Sequence, residues 1–154
     1  MITTIYNKQK DIALSLSNIK LMIPFLLRTL NISTDEVILH FISKAAIGKL
    51  HDTFFSDPSP TDCISFPIDP PTTTPTSKQT ILGEVFVCPK VALEYALEKK
   101  LDPHQETKLY IIHGILHLLG YDDLDSTSRR KMRQMEQKCL KICEPFPISK
   151  KRLS

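Results

Sequence analysis

The chain has 154 residues, of which 42% are hydrophobic and 24% charged, and its net charge is +3 at neutral pH. This length and composition are typical of one globular domain and exclude general disorder or a fibrous repeat, so we expect a single domain over 1–154. No apolar run approaches the roughly 18 residues of a membrane-spanning helix, and the first residues lack the apolar core of a signal peptide. We therefore expect no membrane association and a cytoplasmic location.

The first half of the chain switches between strand-like and helix-like patterns. Alternating or β-rich segments cover 2–6, 35–43 and 63–68, and apolar residues at helical spacing cover 14–31 and 43–55. The segment DEVILHFIS has apolar residues on both faces, which is typical of an inner strand. Ser43 is predicted to be the N-cap of the second helix.

The second half predicts one more strand and three helices. The proline- and threonine-rich segment 69–80 should be an exposed loop, followed by a strand at 81–88 and a helix that opens at Pro89. Further helices are predicted from Asp102 to Gly120 and over about 127–143, and a basic tail at about 144–154 is expected to fray. These elements predict an α+β fold with one mixed sheet of about four strands and about five helices.

The four cysteines show no CxxC pairing and are interpreted as small buried apolar residues. Cys139 and Cys143 lie one helical turn apart and are therefore an alternative metal pair. They lack the nearby histidine or second cysteine pair that would complete a ligand set, so the apolar interpretation is favoured.

The end of the chain is basic, with nine lysines and arginines after Ser128 and only Glu136 and Glu144 to oppose them. A cluster of this kind can attract a polyanion such as RNA through counterion release. A solvated helix face with a basic tail explains it equally well.

The segment HGILHLLGYDD predicts a metal site. His113 and His117 are four residues apart on a helix and project from the same face, about 6 Å apart along its axis. Gly120 ends that helix and lets the chain turn back, so that Asp123 can approach the same point. Three such ligands leave a fourth position for water, which is a hydrolytic geometry for Zn²⁺. For the two histidines alone, a hydrogen-bonded core pair would be the better interpretation.

Two other classes of metal site are disfavoured. A metalloprotease of the HExxH type needs a glutamate beside the first histidine, and that position is Gly114 here. Two histidines and one carboxylate also suit non-haem Fe(II), and hence an oxygenase, but such sites usually lack a helical pair with a glycine turn.

Three segments, PTDCISFP, LGEVFVC and HGILHLLGYDD, closely resemble in order and spacing the bacterial YbeY family of metal-dependent endoribonucleases. The resemblance covers roughly 35–139. It implies a metal at a helix end in a cleft, single-stranded ribosomal RNA as substrate, and a role in ribosomal RNA maturation and ribosome quality control. It further implies that the ribosome or its small-subunit proteins are partners, and it leaves the oligomeric state open.

The same resemblance assigns site residues. His113 and His117 would be catalytic and, with Asp123, would hold one Zn²⁺ per chain, although another divalent metal remains an alternative. The residues that match the substrate-binding strand of the family are Thr61, Asp62 and Ser65.

Two positions depart from the family pattern. Asp123 stands where the family usually has a third histidine, and a carboxylate there should make the ion a weaker Lewis acid. Phe55 stands where the family typically has an arginine, so the charge that would stabilise a phosphoryl group is absent. These departures keep a second hypothesis open, namely a ribosome-assembly factor that binds RNA with weak or no nuclease activity.

Overall fold

The computed structural model describes residues 1–150 and contains four strands and five helices within them. In chain order they are β1 (Ile2–Asn7), α1 (Leu16–Thr29), β2 (Glu36–Phe41), α2 (Lys44–Phe55), β3 (Cys63–Pro67), β4 (Ile81–Val87), α3 (Pro89–Lys99), α4 (Pro103–Leu118) and α5 (Ser126–Ile142). The predicted α+β class, with its numbers of strands and helices, is confirmed. The predicted loop at 69–80 lies between β3 and β4.

The four strands form one mixed sheet in the order β1-β2-β4-β3. Strands β1, β2 and β4 are parallel to one another, and β3 runs antiparallel to β4 at one edge. The predicted inner strand is β2, whose buried face carries Val37, Leu39 and Phe41. Strands β3 and β4 both contact α4, the helix that carries the two histidines.

Helix α4 is the central helix of the core because apolar residues surround its axis. Ile111, Ile112 and Ile115 are fully buried. The helix approaches the sheet closely at Gly114, where an added Cβ would overlap Cγ1 of Val85. The hydroxyl of Ser65 donates a hydrogen bond to the Gly114 carbonyl at 2.8 Å. The glycine thus lets the helix lie directly against β3 and β4.

The predicted helix ends are also confirmed. The Ser43 hydroxyl accepts a hydrogen bond from the backbone N–H of Ala46 at 3.1 Å, and the Asp102 carboxylate accepts one from His104 at 2.9 Å. Gly120 has a φ of 98°, the left-handed conformation that a glycine adopts without steric cost. It therefore turns the chain sharply after α4.

The expectation that the tail frays from about residue 144 is wrong for 144–150, and 151–154 lie outside the described residues. Ile148 is 2% exposed, and its carbonyl accepts a hydrogen bond from the backbone N–H of Ser15. The ammonium group of Lys108 donates to the carbonyls of Cys143 and Phe146 at 2.7 and 2.8 Å. An apolar anchor and a buried cation thus hold this segment against the core.

Three of the four cysteines are buried as predicted, and Cys63 is half-buried. Burial raises the pKa of Cys139 to about 11 and that of Cys143 to about 12. Both thiols are therefore neutral at physiological pH and pack as apolar groups. None of the helices within residues 1–150 is long and apolar enough to cross a membrane.

Candidate metal centre and its cleft

The two histidines of α4 point at one spot. The Nε2 atoms of His113 and His117 are 3.0 Å apart, and the two rings are nearly perpendicular at 83°. Two imidazole nitrogens bound at about 2.0–2.1 Å to one tetrahedral ion would be roughly 3.3 Å apart. The pair is therefore arranged as two ligands of a single metal ion would be.

Asp123 reaches the same spot from the turn that follows α4. After Gly120, the N–H of Tyr121 donates to the Leu116 carbonyl at 3.0 Å and holds the turn closed. Oδ2 of Asp123 then lies 3.7 Å from Nε2 of His113. One ligand atom from each of the three predicted residues lies within 4.8 Å of the other two. The sequence motif thus assembles a donor set suited to Zn²⁺.

A fourth residue, Glu136, completes the arrangement from α5. Its Oε1 lies 2.7 Å from Nδ1 of His113, and the side chains are only 14% and 17% exposed, respectively. When Nδ1 carries the proton and donates it to the carboxylate, Nε2 keeps its lone pair for a metal.

Sequence reasoning did not select Glu136, although a signal was present. The residue lies four positions after Met132 and three before Cys139, which places it on the apolar stripe of α5. A carboxylate on a buried helix face requires a polar partner.

The electrostatics of the two imidazoles differ. Burial lowers the pKa of His113, but the hydrogen bond that its Nδ1–H donates to Glu136 and the charges of Asp62, Glu136 and Asp123 outweigh this effect, so that the pKa lies above its usual value. Burial and the charge of His113 lower the pKa of His117. In the absence of metal, a proton at this site therefore resides on His113 and leaves His117 neutral.

A cleft of about 370 Å³ opens beside His117. Helix α2 contributes His51 and Phe55, and the segment around β3 contributes Thr61, Cys63 and Ser65. Two of the predicted substrate-binding residues, Thr61 and Ser65, therefore lie in the cleft.

Asp62 points elsewhere. Its Oδ1 accepts hydrogen bonds from the Cys63 N–H at 2.7 Å and from the Thr61 hydroxyl at 3.3 Å, so it is folded onto the start of β3. Its carboxylate is still close enough to raise the pKa of His113.

His51 was not selected from the sequence, although it lies four residues before Phe55 and hence on the same face of α2. Its Nδ1 lies 3.0 Å from the Ser59 carbonyl, which fixes the ring at the wall of the cleft. Phe55 is 56% exposed, and its ring lies against His51 with centroids 5.2 Å apart.

Comparison with known proteins identifies the family. The family described as Endoribonuclease YbeY matches residues 4–144. This chain belongs to the YbeY family. An Endoribonuclease YbeY of Protochlamydia amoebophila is 45% identical over 130 residues, covering 84% of this chain and 85% of the relative. One of Chlamydia caviae is 39% identical over 139 residues, covering 88% and 87%, respectively.

The solution structure of TM1509 from Thermotoga maritima has a TM-score of 0.63 to this YbeY-family chain at 23% identity. The match covers 92% of this chain and 89% of that protein, so the two share a fold.

Proposed function

We propose that the chain is a metal-dependent endoribonuclease that cuts single-stranded ribosomal RNA in the cytoplasm, with one Zn²⁺ held by His113, His117 and Asp123. The observation that carries the proposal is the approach of these three ligand atoms to within 4.8 Å of one another, beside an open cleft, in a member of the YbeY family. The endoribonuclease names of its relatives favour this function over an assembly factor without nuclease activity.

Each residue of the metal centre has a separate role in this proposal. His113 and His117 supply neutral nitrogen donors, Asp123 supplies an anionic oxygen, and Glu136 holds the proton of His113 away from the metal side. A Zn²⁺ ion held by these residues would supply Lewis-acid chemistry for the activation of water. Ser65 uses its O–H to hold the Gly114 carbonyl and retains oxygen lone pairs that can accept a hydrogen bond from substrate.

Contacts with the RNA backbone are assigned to the exposed face of α5. Its exposed cations are Arg129, Arg130, Lys131, Arg133, Lys138 and Lys141. Arg129 donates to the backbone carbonyl of Asp123 at 3.5 Å, so this basic face begins beside the metal centre. Phosphates bound along it would bring one strand to the cleft. We propose the ribosome or its small-subunit proteins as the partners that present this RNA.

The proposal is tested by measuring bound metal with mass spectrometry and cleavage of single-stranded ribosomal RNA on the same preparations. The wild type should hold about one metal per chain and cut the RNA. A His117→Ala variant should do neither because two donors no longer retain the ion. His104→Ala is the matched control, since His104 lies on the same helix and its ring contacts the Ala13 carbonyl and the Asp102 carboxylate, away from His113 and His117.

If the wild type binds metal but does not cut RNA, the proposed nuclease activity is wrong and the hypothesis of a ribosome-assembly factor remains. If the zinc-free protein still cuts RNA, the proposal that cleavage depends on the metal held by His113, His117 and Asp123 is wrong. A His104→Ala variant that also loses metal would show that the His117 result reflects unfolding, and circular dichroism of both variants checks this directly.

A further inference from the structure

We propose that Phe55, backed by His51, is a stacking site for one nucleobase of the bound RNA strand, next to the metal centre. This inference rests on the proposed function and adds the way in which the substrate is recognised.

The Phe55 ring is exposed and lines the cleft that also contains His117. It is 56% exposed at the last turn of α2; its neighbour Phe54 is similarly exposed at 59%, but the Phe54 ring lies against Phe66, with centroids 4.9 Å apart, and is not among the residues that line the cleft. His51 supports Phe55 from the preceding turn at an interplanar angle of 44°, and the Ser59 carbonyl holds His51 in place. Exposed aromatic rings that are held in place by a neighbouring side chain are common stacking surfaces for unpaired nucleobases.

The lack of cationic side chains among the described residues of the cleft favours binding of a nucleobase over binding of a phosphate. Among the described residues that line it, none is a lysine or an arginine. The lining combines aromatic rings with the hydroxyls of Thr61 and Ser65, and hydroxyls can hydrogen-bond to the edge of a base. The cations of the proposed RNA surface lie on α5 instead, so backbone binding and base binding are assigned to different parts of the site.

The size and position of the cleft favour a nucleotide over a protein segment. Its volume of about 370 Å³ is within the range of small-molecule pockets. His117 lines the same cleft as Phe55. A nucleotide whose base stacks on Phe55 therefore has its sugar and phosphate in the cleft that leads to the metal ligands.

The test measures binding of a fluorescent single-stranded 2′-O-methyl RNA oligomer to the metal-loaded protein by anisotropy, at several salt concentrations. Oligomer integrity is checked on a gel afterwards. Phe55→Ala should weaken binding by about 5- to 150-fold, the value of one base–aromatic stack. The slope of log affinity against log salt should stay unchanged because no phosphate contact is lost. Phe55→Trp should bind at least as well as the wild type, and Phe55→Leu should bind less well.

The control is Tyr95→Ala, which removes an exposed aromatic ring on α3 outside the cleft and should leave the affinity unchanged. If Phe55→Ala binds the RNA oligomer as tightly as the wild type does, the proposed stacking site is wrong, and a contact with a protein would be the alternative role of the exposed ring. A lower salt slope in Phe55→Ala, or full affinity in Phe55→Leu, would overturn it as well. Failure of the wild type to bind or cut RNA would instead overturn the proposed function, before any variant is compared.

Discussion

Oε1 of Glu136 lies 2.7 Å from Nδ1 of His113 and joins the last helix of the fold to the histidine helix. The two residues are 23 positions apart in sequence, and both are largely buried. A carboxylate in this position fixes the orientation and the tautomer of an imidazole whose other nitrogen faces a metal. The metal centre therefore depends on the packing of α5 against α4 as well as on the local motif.

Loss of this carboxylate should weaken metal binding without abolishing it. Glu136→Ala is expected to lower the affinity for Zn²⁺ by about 10- to 100-fold, the usual effect of losing a group that orients a metal ligand. The affinity of Glu136→Gln for Zn²⁺ should lie between those of the wild type and Glu136→Ala, because the amide oxygen of glutamine still accepts a hydrogen bond. Competition with a fluorescent chelator measures the affinities, and Glu144→Ala is the control. Equal affinity in all four proteins would contradict the role assigned to Glu136.

The affinity for metal should still depend on pH above the ordinary pKa of histidine. Protons compete with the metal for both imidazoles. Because the pKa of His113 is raised above 6.5 and that of His117 is lowered, affinity should still increase as the pH rises above 6.5 and His113 loses its proton. Chelator competition from about pH 5.5 to about pH 8.5 measures this dependence.

The cause of the shift can be tested in the same assay. In Glu136→Ala, His113 loses the hydrogen bond that raises its pKa. The upper part of the pH dependence should therefore move to lower pH. An affinity of the wild type that is already constant above pH 6.5 would refute this assignment.

Gly114→Ala should destabilise the fold. The added Cβ would overlap Cγ1 of Val85, and it would also approach the Ser65 hydroxyl to 3.2 Å. Overpacking of this kind costs about 1–3 kcal/mol, or more where the backbone cannot move. In urea denaturation of the metal-free proteins, the midpoint of Gly114→Ala should therefore lie at a lower urea concentration than that of the wild type. Gln105→Ala, an exposed change on the same helix, should alter the free energy of unfolding by less than about 0.5 kcal/mol.

Much of the fold follows from local patterns in the chain. The caps at Ser43 and Asp102 and the turn at Gly120 mark helix ends because each satisfies backbone groups nearby in sequence. His113, His117 and Asp123 lie within 11 residues of one another, so helix geometry and one turn suffice to bring them together. The juxtaposition was therefore predictable.

The features that sequence reasoning missed depend on packing between distant segments. Glu136 belongs to the site only because α5 crosses α4, and His51 belongs to the cleft only because α2 lies beside β3. The basic tail was expected to fray, yet Ile148 is buried and its neighbour Ser149 forms a β-bridge with Leu14. Local composition does not report such partners.

The buried ammonium group of Lys108 should be essential to the C-terminal segment. It is 2% exposed and donates to the carbonyls of Cys143 and Phe146. Lys108→Met keeps most of the aliphatic volume, removes the donor to the Phe146 carbonyl, and leaves the Cys143 carbonyl with only the Phe146 N–H among the described donors. It should lower the free energy of unfolding by roughly 2–3 kcal/mol. Lys141→Met, on the exposed side of α5, is the control in thermal and urea denaturation, and equal losses in both variants would argue against this role.

The close seating of Gly114 on the sheet also limits what the histidine motif can become. A change of Gly114 to glutamate would create the letters HExxH, and a search by motif would then class the chain with the metalloproteases. The side chain would have to enter the space that Val85 already fills. Such a variant would carry the sequence signature of a protease, but β4 beneath the helix leaves no room for the glutamate side chain.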